Sequence, residues 1–227
     1  MLDALLTVFV PMLLGTQLIL TLILLKGDIC PGQRGRIHKV LPAIGVLWLT
    51  VTLHHIEAFL VVATIFYFFS QVQTKKTRDQ GPMWLLYGAN IFASIIMLMQ
   101  AFEQNSLAGG ITYCLFILFL GSGFTHLLLT IARTRLQAFH HILPLAALVS
   151  GMFIVLSIIF HTYTLSDDTL SAMTPALLMG FALLVTTIVI SCWHLFTQKS
   201  AEKIQLFISV AVGLMAATYF QMVLSVF

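Results

Sequence analysis

Apolar residues run along this chain in long blocks separated by short polar breaks. The blocks fall at 2–25, 40–70, 83–102, 111–132, 142–162, 176–197 and 204–227. Most are about 20 residues long, enough at about 1.5 Å per residue to cross a hydrocarbon core of about 30 Å. In lipid such a segment must satisfy its own backbone polar groups, which selects the helix, and the alternation of a barrel strand is absent. The pattern therefore predicts an all-α fold: a polytopic transmembrane bundle of about seven helices, with residues 1–227 as one helical domain. Pro11 and Gly15 are placed to kink the first helix, and Pro144 falls in the first turn of the fifth, where proline is well tolerated.

The block 40–70 is longer than one crossing needs, and its polar cluster, His54-His55-Ile56-Glu57, lies near its middle. Two readings are open: a single long tilted helix, or a hairpin that dips in and returns. The absence of Gly or Pro at the bend favours the single helix, since tilt absorbs extra length. Charge pulls the other way. Lys75, Lys76, Arg78, Arg133, Arg135, Lys199 and Lys203 share one side with single crossings, cytoplasmic by the positive-inside tendency. Lys26, Arg34, Arg36 and Lys39 join them only if 40–70 is a hairpin.

Composition agrees with a lipid environment. Of the 227 residues 59% are hydrophobic and 8% charged, with a mean hydropathy of +1.02, against roughly 25% charged in soluble domains. The net charge of +3 does not indicate nucleic-acid binding, because the cations sit in short breaks rather than on one face. The partners implied are the bilayer and other membrane proteins or a second copy of the chain. Cys30, Cys114 and Cys192 are too scattered for a thiolate metal site or a disulfide framework; Cys114 and Cys192 read as small buried hydrophobes. The first block lacks a basic leader region and reads as a membrane helix that is retained, and the whole chain as a bacterial inner-membrane protein.

Ionisable residues inside apolar spans are costly, so each is a functional candidate. On a continuous helix Thr50, His54 and Glu57 fall at i, i+4 and i+7 and form one polar stripe, with His55 beside it. Similar stripes carry Ser122, His126 and Thr130; Ser150, Ser157 and His161; Thr187, Ser191 and His194; and Asn90 with Ser94. Converging, His54, His55, Glu57, His126 and His194 would suit a metal ion, a haem or a proton path. Thr50, Asn90, Ser122 and His161 would line the polar interior. The competing account is ordinary interhelical hydrogen bonding, about 0.6 kcal/mol per pair. His38, His140 and His141 lie near loops and read as solvated or headgroup-facing.

Zincin, nucleophile-elbow, phosphate-loop and dinucleotide signatures are absent. His54-His55-Ile56-Glu57 resembles the H-x-x-E-E motif of the HXXEE membrane family, and Gly123-Phe124-Thr125-His126 is similar to that family's second histidine region. The resemblance covers residues 40–160 and departs at Ala58, where the family has a second Glu, and after Arg135, where it has Pro-Gly. The tandem His54-His55 is also similar to the lipid-modifying TLC-domain proteins, whose downstream acidic motif is missing here. The leading expectation is an intramembrane His/Glu site for metal, haem or proton handling. The alternatives are a non-enzymatic carrier, channel or membrane subunit, and an intramembrane lipid-modifying enzyme, so whether the chain is an enzyme stays open.

Overall fold

The computed structural model describes residues 2–27, 29–74, 81–134 and 136–225. Lys75, Lys76, Arg78 and Arg135, used above as topology markers, lie outside the described residues. Nine helices follow one another among those described: α1 (Leu2–Lys26), α2 (Pro31–His38), α3 (Leu41–Val51), α4 (Ala58–Thr74), α5 (Met83–Phe102), α6 (Leu107–Ile131), α7 (Gln137–Thr162), α8 (Asp167–Thr197) and α9 (Lys203–Leu224). Six of them, α1 and α5 to α9, are long and apolar enough to cross a membrane. Large apolar side chains such as Leu98, Phe153, Phe160, Phe196 and Phe207 stand exposed on the outside of the bundle, as lipid requires.

The block 40–70 is not one tilted helix. It folds in two at residues 52–57, and α3 and α4 pack antiparallel, with Gly45 against Phe66 and His38 stacked edge-on against Phe68 at 5.4 Å. No glycine or proline makes the bend. The Thr50 and Thr52 hydroxyls instead donate back to the carbonyls of Leu47 (2.6 Å) and Leu49 (2.7 Å), competition that weakens a helix end. Breaking there also moves His54, His55 and Glu57 from the bilayer centre to its edge, avoiding the cost of ionisable groups in hydrocarbon.

With the hairpin in place the bundle has a basic end and an acidic end. Every described Lys and Arg (Lys26, Arg34, Arg36, Lys39, Arg133, Lys199, Lys203) lies at the first, and Asp3, Glu57, Glu103, Asp167 and Asp168 at the second. Glu202 is the one described acid at the basic end. Contacts between the chain's segments fix this assignment. His54 approaches Asp3 and His55 meets Gln100 at the acidic end, while Arg36 donates to the Arg133 carbonyl at 2.7 Å at the basic end.

At the centre α1 and α6 cross in near backbone contact. A Cβ on Gly121 would stand 2.6 Å from Gly15 Cα, so only glycine fits, and Thr16 Oγ1 reaches the Gly121 carbonyl at 3.2 Å. Small residues at such crossings are the usual device for tight packing without a hydrophobic drive. Gly15 therefore serves the crossing. On the other flank of α1, Gln17 donates to Asn90 Oδ1 (2.7 Å) and accepts from Trp48 Nε1 (3.2 Å), and Asn90 donates to Thr21 Oγ1 (3.1 Å), joining α1, α3 and α5. Cys192 is buried as expected, but Cys114 faces outward.

Three helix starts, those of α6, α7 and α8, lie four or more residues earlier than the apolar blocks suggest. α8 begins at Asp167, where the Ser166 hydroxyl caps the Thr169 amide and two acids occupy the first turn, an arrangement favoured by the helix dipole. α7 begins at Gln137, which moves Pro144 out of the first turn and into the helix interior. There it cannot donate to the carbonyl of His140.

Candidate functional site

The expected convergence of five residues does not occur; the histidines divide between the two ends. At the acidic end, His54, His55 and Glu57 sit in the α3–α4 turn. Because α3 ends at Val51, the stripe Thr50-His54-Glu57 does not form. Glu57 is exposed, and His54 Nε2 lies 3.7 Å from a largely solvated Asp3 carboxylate, a pairing that water screens. His55 Nε2 is 2.6 Å from Gln100 Nε2; Tyr113 donates to the Gln100 carbonyl oxygen and approaches the Thr7 carbonyl at 2.9 Å. Nearby, His161 Nδ1 shares a 2.8 Å hydrogen bond with the Ser106 hydroxyl, which also caps α6 through the Gly109 amide. Of the residues expected to line the interior, Ser122 and His161 are fully buried, and Thr50 and Asn90 half-buried.

At the basic end His126 and His194 do come together, and His140 joins them. His126 lies on the buried face of α6 near its C-terminal end, His140 in the first turn of α7, and His194 in the last turn of α8. The rings of His126 and His140 have centroids 5.1 Å apart, and those of His126 and His194 5.2 Å apart. His126 Nε2 and His140 Nδ1 are hydrogen-bonded at 3.0 Å. His194 Nε2 meets the His140 carbonyl at 3.2 Å. That carbonyl is the one Pro144 leaves without its helical partner, so the proline both frees the acceptor and orients the imidazole that uses it. With Nε2 donating, a neutral His194 carries its lone pair on Nδ1. The Nδ1 atoms of His126 and His194 are buried without a hydrogen-bond partner.

An open cleft of about 780 Å³ adjoins the cluster. His140, His141 and His194 line it, together with Arg133, Lys199 and the hydroxyl residues Thr130, Thr134 and Ser200. His126 stands behind His140 and does not reach the cleft wall. Among the described residues no group of three or more His, Cys, Asp or Glu side chains is arranged to hold a metal ion.

His140 escaped the reading of the sequence because the apolar block starts after it. A signal was present nonetheless. His126 and His140 stand seven residues before and after Arg133, and positions equidistant from a tight turn between antiparallel helices face each other.

A family model described as an integral membrane domain matches residues 3–222. The chain is also similar to an uncharacterized protein of Haemophilus influenzae, 31% identical over 148 residues that make up 60% of this chain and 54% of that protein. The chain thus spans about half the length of the curated relative it matches. Neither match names the HXXEE or TLC families. No solved structure matches.

Proposed function

We propose that this chain, which belongs to the integral membrane domain family, is a bacterial inner-membrane protein that exchanges protons between its cytoplasmic face and the buried His126. The observation that supports this is the direct imidazole pair, His126 Nε2 to His140 Nδ1 at 3.0 Å, in which only His140 lines the cleft. A proton arriving at His140 Nε2 is passed on from Nδ1, so the ring relays it inward without moving far. His194 of α8 faces His126 at 5.2 Å, His141 follows His140 on α7, and Arg133 and Lys199 line the same cleft as His140. All are cationic or can become so, which opposes more than one proton residing on the pair. The basic end is cytoplasmic on this reading, since Lys and Arg prefer that side. A proton-linked carrier is the function such a relay serves best; metal binding has less support, because among the described residues no group of three or more His, Cys, Asp or Glu side chains is arranged to hold an ion.

Nuclear magnetic resonance of ¹⁵N-histidine-labelled protein in nanodiscs tests this. His126 and His140 should titrate as one coupled pair, and His140→Phe should remove His126 from exchange with bulk protons. Glu57→Gln, a change at the opposite end, should leave both signals untouched. Independent titration of the two rings, or an unchanged His126 in His140→Phe, would refute the relay.

A further inference from the structure

We propose that the cleft at the basic end binds a phosphate-bearing anion. Its volume, about 780 Å³, falls within the range of about 300–1,000 Å³ usual for small-molecule sites. Arg133, Lys199 and His141 line it, and no Asp or Glu does so among the described residues. Glu202, the one described acid at this end, follows Ala201 in the chain but does not itself contribute to the wall.

Deeper in, His194 is 6% exposed, and its Nδ1 has no hydrogen-bond partner in the protein. On the neutral ring that atom is an acceptor, and a ligand group that brings its own hydrogen, such as the P–OH of a hydrogen phosphate, can satisfy it. The hydroxyl of Ser200 adds a neutral donor at the same wall.

The backbone supplies an independent observation. Only two non-glycine residues among those described occupy the left-handed region, Arg133 (φ 51) and Gln198 (φ 52), and both line this cleft. They end α6 and α8, positions where glycine is the ordinary choice. Retaining side chains there is unfavourable for the backbone, and such strain gathers where a side chain serves binding. Arg36 reinforces the arrangement by holding the Arg133 carbonyl at 2.7 Å. The helix dipoles do not decide the sign. The amino end of α7 favours an anion and the carboxyl ends of α6 and α8 oppose one, so the full charges on Arg133 and Lys199 determine selectivity.

Two sources offer this chemistry: free phosphate compounds and the headgroups of anionic lipids, which settle in basic pockets on the cytoplasmic side of helical bundles. The proposal does not depend on the proton relay. In mild neutral detergent, inorganic phosphate is titrated by ³¹P line broadening, and in parallel the retention of phosphatidylglycerol over phosphatidylcholine is read by native mass spectrometry. Saturable broadening identifies a soluble phosphate compound as the ligand; selective retention of phosphatidylglycerol alone identifies a headgroup. Either signal should fall at least tenfold in Arg133→Gly and in Lys199→Ala. The thermal midpoint of Arg133→Gly should not fall, because glycine accepts a φ of 51 without strain. Loss of binding without loss of fold is the expected result. Absence of both signals in the wild type, or unchanged binding in Arg133→Gly, would overturn the proposal. His126→Gln should bind phosphate normally, so a failed relay and a failed anion site give different results.

Discussion

Replacing Gly121 by alanine places a methyl group where α6 passes α1. The new carbon would lie 2.6 Å from Gly15 Cα and 2.8 Å from its carbonyl carbon, against an optimum of about 3.5–4.0 Å between carbons. Both obstacles are backbone, so no rotamer relieves the clash, and the helices must part by about 0.9 Å or more to reach that optimum. A gap of roughly 0.5–1 Å forfeits about a quarter to a half of each contact's attraction along the crossing. The Thr16 hydroxyl, already 3.2 Å from the Gly121 carbonyl, would lose that bond and keep only the Met12 carbonyl at 2.8 Å. Overpacking of this kind costs about 1–3 kcal/mol, and the lost bond adds about 0.6 kcal/mol. Two residues on, Gly123 is an internal control, since a Cβ there meets nothing nearer than Val210 Cγ2 at 3.9 Å. Gly123→Ala should stabilise by about 0.5–1 kcal/mol through helix propensity alone. Unfolding titrated with a denaturing detergent and followed by helical circular dichroism should move in opposite directions for the two variants. A shift of the same sign in both would refute the close crossing.

Two further outcomes follow from the packing. Burial and the adjacent Arg34 guanidinium lower the His38 pKa to about 4, and α2 lies outside the membrane-spanning helices. The undocked state therefore binds the extra proton first. Docking of α2 is full above pH 6.5, and weakens as pH falls toward 4, by on the order of tenfold at pH 5. A nitroxide on Cys30, with Cys114 replaced by alanine, should gain mobility on acidification in the wild type and not in His38→Phe. Gln17→Leu should strand both Trp48 Nε1 and the Asn90 side-chain carbonyl, at a cost of about 1–3 kcal/mol. The same unfolding titration measures the loss, and Gln17→Leu with Asn90→Leu should recover part of it.

The helical class and most spans were legible because hydrocarbon permits few structures and hydropathy marks them directly. The break at 52–57 was harder to read, since its cause is distributed over two threonine back-bonds and three polar side chains rather than lodged in a glycine or proline. The charge pattern already favoured it, because only a hairpin gathers Lys26, Arg34, Arg36 and Lys39 with the other cations. At the site, His126 and His194 were singled out from their stripes, and the structure brings them together. His54, His55 and Glu57 were grouped with them by chemistry alone, which says nothing about level along the bundle. His140 was discounted because hydropathy places helix starts too late when polar residues open the helix.

The α3–α4 hairpin also changes the parity of the bundle. Counting its two legs, α1 enters from the acidic end and the eighth leg, α9, returns there, with Ser225 beside Asn105 and Leu2 next to Asp3. Both termini of the described chain thus open on the face opposite the histidine cluster. Anything fused to either terminus is carried on the acidic face of the bundle, while the cleft at the basic end is left clear.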